Sequence, residues 1–142
     1  DTIPIPQRAG APDMGYHHVV TDDLEQFDDR PADVRSISTA AGLDYQGSPL
    51  GLRVYEVEPG EQLPLTYHYH DEQTEVFYVL EGTLHVETPE GDFAVETDEA
   101  LVAEPESPHR AHNPEDADAS VRALAIGAPT VDDASAYEAE KD

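Results

Sequence analysis

The sequence predicts an all-β protein, an antiparallel barrel or sandwich, and three observations carry that prediction. The chain has 142 residues, the length of one domain. Its apolar runs are short, about eight in number, and recur every 8–12 residues or so between glycine- and proline-bearing turns. Leu, Ile, Val and Phe are also concentrated: 19 of the 77 residues from Leu50 to Ile126, against 10 of the other 65. A core is therefore expected in the middle of the chain, with weakly anchored acidic flanks.

The elements follow in order. Residues 1–13 hold three prolines and no periodicity, and read as an extended arm. His17–Val20 has the pattern of a short strand, Asp22–Phe27 that of one helical turn capped by Asp22, and Val34–Ala41 that of an edge strand. From Pro49 the alternation sharpens. Residues 51–60 (GLRVYEVEPG) read as a strand ending at Pro59–Gly60, and Thr66–His70 is a short strand followed by the turn Asp71–Thr74. Glu75–Leu80 is a buried strand stopped at Glu81–Gly82, and Thr83–Thr88 is the next. Phe93–Glu96, Ala100–Ala103, His109–Asn113 and Val121–Ile126 complete the set, and Thr130–Lys141 reads as an acidic terminal helix. The predicted organisation is an N-terminal arm over residues 1–48, a barrel over 49–127 and an acidic segment over 128–142.

Charge excludes several functions. The chain carries 32 acidic side chains against 7 of Lys and Arg, a net −25, and Lys141 is its single lysine. A phosphate backbone or an anionic bilayer would repel it, so neither nucleic acid nor membrane is an expected partner. No stretch approaches the apolar length of a bilayer span, and no basic-then-apolar leader opens the chain, which predicts a cytoplasmic protein. There is no cysteine, hence no disulfide and no thiolate metal site. Acids scattered along the whole chain fit a protein of a salt-accumulating halophile, where screening removes self-repulsion. An acidic surface that meets a basic partner is the rival reading.

Four residues carry the chemistry: His68, His70, Glu75 and His109. Positions i and i+2 of a strand project to the same face, so His68 and His70 offer two imidazoles to one point. The turn after them reverses the chain, and Glu75 opens the next strand where it can return a carboxylate. His109 begins a later strand behind a proline-bearing turn. Any one of these histidines is ordinarily a surface or hydrogen-bonded residue. A His-x-His pair together with a Glu at the head of an apolar run is costly to bury without a compensating partner. Imidazole plus carboxylate suits Mn, Fe, Ni, Zn, Co or Cu, so one divalent transition metal is the expected cofactor.

Phe77 and Val79 share Glu75's parity and are expected inside, as an apolar wall. Tyr67, Tyr69, Arg110 and His112 alternate away from the imidazoles, and His85 lies on the parity opposite to Leu84 and Val86. Asn113 returns inward, with a structural hydrogen bond as its expected role. Arg53 and Tyr55 share one face of the first core strand. If that face is interior, Arg53 can grip a substrate carboxylate or phosphate; otherwise it makes a surface ion pair.

Taken together, Gly60, His68, His70, Glu75 and Gly82 resemble the first motif of the cupin superfamily. Pro105, Pro108, His109 and Asn113 resemble its second, with Glu106 in the place of the usual glycine and a spacer after Gly60 two residues longer than common. The resemblance covers about residues 50–126. It implies a double-stranded β-helix, or jelly-roll barrel, and a three-His, one-Glu metal site on His68, His70, Glu75 and His109 with open coordination positions. It also implies a homodimer formed through N-terminal strands. Cupins range from storage proteins to oxygenases and isomerases, so two functions are expected. One is a metal-dependent enzyme acting on a small polar metabolite that chelates through oxygen, with Glu75 as its catalytic residue. The other is a non-catalytic small-molecule-binding or sensing cupin. No DNA-binding helix pair precedes the barrel.

Overall fold

The computed structural model describes residues 15–64 and 67–138. The proline-rich arm expected over residues 1–13, the start of the Thr66–His70 strand and residues 139–141 of the expected terminal helix lie outside the described residues. Ten strands form three sheets. They are β1 (Asp33–Ser36), β2 (Gly51–Val57), β3 (His68–His70), β4 (Thr74–Glu81), β5 (Leu84–Thr88), β6 (Gly91–Val95), β7 (Ala100–Ala103), β8 (Arg110–His112), β9 (Val121–Ala128) and β10 (Ala134–Ala136). One sheet has the order β1-β2-β9-β4-β7, a second β6-β5-β8, and a third pairs β10 with β3. Every pairing is antiparallel. Bridges from Gln62 to His112 and from His68 to His109 join the segment carrying β3 to β8, so the two smaller sheets act as one wall of a jelly roll.

The period-2 pattern decides which face is inside. Val121, Ala123 and Ala125 of β9 are buried and alternate with half-buried neighbours, as do Phe77 and Val79 of β4 and Leu84 and Val86 of β5. These residues form one core cluster with Tyr55, Val57, Leu63, Val95 and Ala111, drawn from both walls. Asn113 is buried, and its Nδ2 donates to the carbonyls of Val57 and Ala119 at 3.0 and 2.9 Å, a structural role as expected.

Two turns at the motif positions show what the backbone demands. Gly82, after β4, has φ +89°, and a Cβ there would stand 2.8 Å from the carbonyl oxygen of Ser120. Only glycine fits. Glu106 has φ +67°, the left-handed region that L-residues avoid, and its N–H donates to the His70 carbonyl at 2.6 Å. The turn that a glycine would make freely is therefore retained, at a cost of about 1–2 kcal/mol.

The flanks differ from the sequence reading. Residues 17–20 join no sheet among the described residues. The helical turn falls on Thr21–Asp23 as a 3-10 turn with no side-chain cap, so Asp22 lies inside it. Of the expected Val34–Ala41 strand only residues 34–36 are extended, as part of β1. Ser36 then caps a single helical turn, α1 (Ile37–Ala40), by accepting the Thr39 N–H at 3.1 Å. The largest correction is at the C-terminus. Thr130–Glu138 holds no helix; Ala134–Ala136 instead pairs as β10 with the histidine strand β3. Alanine and glutamate favour helix locally, but a short edge strand with free N–H and C=O groups offers more. Among the described residues no helix is long and apolar enough to cross a membrane.

Candidate metal centre

The His-x-His spacing and the following turn do what the parity argument requires. His68 and His70 project from β3 toward Glu75, the second residue of β4, and His109 reaches the same point from beside β3. Glu75 Oε1 lies 2.6 Å from His109 Nε2, 3.3 Å from His70 Nε2 and 3.5 Å from His68 Nε2. The ligand atoms of His68, Glu75 and His109 all fall within 4.8 Å of one another. His70 approaches from the far side, its ring 6.4 Å from that of His109 and 4.9 Å from that of His68. The four side chains are largely buried, at 3–17% exposure.

Proton accounting shows whether a cation fits. His109 Nδ1 lies 2.8 Å from the Ser107 carbonyl, which can only accept, so Nδ1 carries a proton; Nε2, 2.6 Å from Glu75 Oε1, donates to the carboxylate when the ring is charged and presents a lone pair when it is neutral. His70 Nδ1 lies 2.7 Å from Asp133 Oδ1, which places its proton there in the same way. His70 Nε2 is buried without a hydrogen-bond partner, since Glu75 Oε1 at 3.3 Å is not aligned to make one. In their neutral forms His70 and His109 would aim lone pairs at one carboxylate oxygen. A metal ion resolves this: ligands on 2.0–2.2 Å bonds stand about 3 Å apart when cis, close to the separations found here. The donor set fits a transition metal, with His68, Glu75 and His109 as its candidate holders.

Without a metal the same contacts act as hydrogen bonds and charge pairs. Burial pushes the Glu75 carboxyl up, but the hydrogen-bonding imidazoles of His109, His68 and His70 outweigh it and hold it well below the ordinary range. Burial disfavours a charged His70, yet Glu75 and Asp133 on its two sides raise its pKa. Burial raises Asp133, while His70 and the N–H groups of Glu72 and Gln73 bring it below its usual value.

Asp133 is the residue that sequence reasoning missed. It sits just before β10, 63 positions from His70, in the segment expected to be helical. Carboxylate partners of this kind fix the tautomer and raise the basicity of a ligating imidazole. No local pattern announces it, because only the pairing of β10 with β3 brings it there.

The other weighed residues fall as follows. Phe77 is 3% exposed and meets the His109 ring edge-on at 5.6 Å, and Val79 is fully buried, so the apolar wall is present. Tyr67 stacks on Tyr137 at 5.0 Å, and Arg110 pairs with Glu87 at 2.8 Å, both turned from the centre. His85 and His112 lie beside each other with ring centres 6.1 Å apart, on the outer side of Leu84 and Val86. Arg53 and Tyr55 face inward. Both line a cavity of about 680 Å³ that also holds His68, His70, Glu75 and Phe77. Residues 130–136, including Asp133, form part of its wall.

A family model described as the cupin domain matches residues 53–127, just over half of the chain. No curated protein matches it. Among solved structures, a sugar phosphate isomerase of the cupin superfamily from Silicibacter pomeroyi has a TM-score of 0.67 at 23% identity, covering 80% of this chain and 76% of that one. A polyketide cyclase from Streptomyces resistomycificus has a TM-score of 0.69 at 22% identity, covering 89% of each chain. For a putative sugar phosphate isomerase from Acidithiobacillus ferrooxidans the values are 0.60 and 22%, over 70% of this chain but 60% of that one. At these identities the likeness is one of fold.

Proposed function

The chain belongs to the cupin family, and from that premise we propose that it is a metal-dependent enzyme of the oxygenase or isomerase type. Its substrate is a small polar metabolite that chelates through a pair of oxygens. One observation carries the reading: three imidazoles and one carboxylate converge at the wall of a roomy cavity, and His70 Nε2 is buried there without a hydrogen-bond partner. A divalent Mn, Fe, Ni, Zn, Co or Cu ion bound there supplies Lewis-acid polarisation of a chelating oxygen pair. The chain's own residues do the rest. His68, His70, Glu75 and His109 are the proposed ligands, and Phe77 keeps water from one side.

Glu75 is also the proposed catalytic residue, as acceptor of a substrate proton. Its Oε1 already lies 2.6–3.5 Å from three imidazoles. That engagement is the observation favouring the second reading, a non-catalytic binding or sensing cupin. Sugar phosphates, oxo acids and diols are the compounds to try, since two of the fold's relatives are described as sugar phosphate isomerases. Calorimetry against metal-loaded and metal-free protein separates the readings. Binding at millimolar Kd or tighter, about −4 kcal/mol, to the loaded form alone supports the first. Equal binding to both forms leaves the metal a structural part and favours the second. The homodimer, the cytoplasmic setting and the salt-accumulating origin remain proposals from the sequence.

A further inference from the structure

We propose that the cavity has a second pole, an anion-binding subsite built on Arg53 and Arg30, so that the ligand carries a carboxylate or phosphate at the end remote from its chelating oxygens. The proposal rests on the metal-chelation reading above and adds the class of ligand to it.

Sheet register places the two poles. Arg53 pairs with Ala125, and Ala125 pairs in turn with Phe77, so these three lie in one row across β2, β9 and β4. One row along the same face come Gly51, Gly127 and Glu75. Arg53 is thus two strands from the β4 residues at the metal centre, a backbone separation of about 10 Å. In these two rows the strand between them presents Ala125 and Gly127 to the interior. The Gln73 side chain lies over Gly127, its Nε2 donating to the Pro129 carbonyl at 2.9 Å, so the low part of the cavity floor is at Ala125. A molecule of a few carbons can lie over Ala125, beside the Gln73 amide, and touch both ends.

Charge pairing points to what the arginines are for. Acids outnumber Lys and Arg by 32 to 7, so a guanidinium has abundant carboxylate partners to choose from. Arg35 takes Asp33 and Arg110 takes Glu87, while Arg122, on the outer face of β9, makes no ion pair among the described residues. Arg53 and Arg30, the two arginines that line the cavity, pair with no carboxylate among the described residues. Both instead rest on one aromatic ring: the Arg53 Cζ lies 5.2 Å from the centre of Phe27, and the Arg30 Cζ 5.5 Å. A ring face positions a guanidinium without neutralising it, and leaves its N–H fork available for bidentate contact with an oxyanion. Arg53 also lies close enough to Tyr55, buried beside it, to stabilise that phenol's charged form against the effect of burial. Asp44 and Asp132 line the same cavity, so an anion gains only where it meets the arginines directly. That requirement selects for position as well as charge.

The test compares matched chelators on one metal-loaded protein at fixed salt. 2-Oxoglutarate and 2-oxopentanoate differ only in a distal carboxylate against a methyl group; 3-phosphoglycerate and glycerate differ in a distal phosphate. In at least one pair the distal anion should tighten binding about tenfold or more, about 1.4 kcal/mol. Arg53→Gln should reduce that ratio to about twofold or less, and Arg53→Lys, which keeps charge but not the fork, should fall between. Because the quantity is a ratio within each variant, a general loss of fold or metal does not mimic the effect. An advantage in the carboxylate pair alone or the phosphate pair alone identifies the group. Ratios near one in both pairs, or a ratio that survives Arg53→Gln, overturn the anion pole while 2-oxopentanoate binding to loaded protein keeps the metal reading intact. If no chelator distinguishes loaded from metal-free protein, the metal reading fails and the second pole falls with it.

Discussion

At the level of single residues, the proposed centre separates groups that would hold a metal from groups that hold the holders. Replacing His68 and His70 by Ala removes two of the four proposed donors and should abolish metal binding, whereas His85→Ala, on the outer face, should leave it unchanged. Asp133 makes the sharper prediction. Asp133→Asn keeps the shape but removes the charge that fixes the His70 tautomer, and a partner of this kind is worth about 10–100-fold in metal affinity. Competition with a chromophoric chelator measures it directly; an affinity unchanged from wild type would show that His70 is oriented by other contacts. The convergence of His68, His70 and Glu75 was legible because side chains alternate along a strand: it needed only parity and one turn. Arg53 was not assignable in the same way. Both faces of Gly51–Val57 mix apolar and polar residues, with Arg53, Tyr55 and Val57 on one and Leu52, Val54 and Glu56 on the other. Only the pairing to Ala125 settles which of them is inside.

At the level of elements, turns and edges carry the interest. The Pro105–Pro108 turn delivers His109, and Glu106 occupies it with φ +67°. Glu106→Gly should relieve the left-handed backbone and raise stability by up to about 1 kcal/mol, the steric gain being partly offset by the freer unfolded chain. A chemical-denaturation midpoint that falls instead would mean the Glu106 side chain contributes more than its backbone costs. The C-terminal segment shows why some elements resist sequence reading. Its alanines and glutamates carry helix propensity, but Asp133 accepts N–H groups from Glu72 and Gln73, and β10 completes the edge of β3. These partners are some 60 residues away in sequence, so no local window contains them. The central strands, by contrast, follow from apolar alternation alone and match their expected ranges to within one or two residues.

For the whole molecule, the governing quantity is a charge of −25 on 142 residues. Self-repulsion of that size opposes compaction, and at 1 M salt the Debye length shrinks to about 3 Å. Thermal stability should therefore climb steeply between about 0.1 and 2 M KCl, with much of the gain early, as screening of surface charges requires. A melting temperature flat over that range would remove the support for a salt-adapted protein. The fold itself depends on a core with members from both walls, from Val34 and Tyr55 to Leu84 and Ala111. That core fixes the spacing of β3, β4 and β8, and through them the four donors. The most direct test of this account is the metal content of protein purified at high salt without an affinity tag that binds metal. Four convergent donors predict about one transition-metal ion per chain, lost when His68 and His70 are replaced. Less than about 0.1 ion per chain, persisting after incubation with Mn, Fe, Ni and Zn, would contradict it.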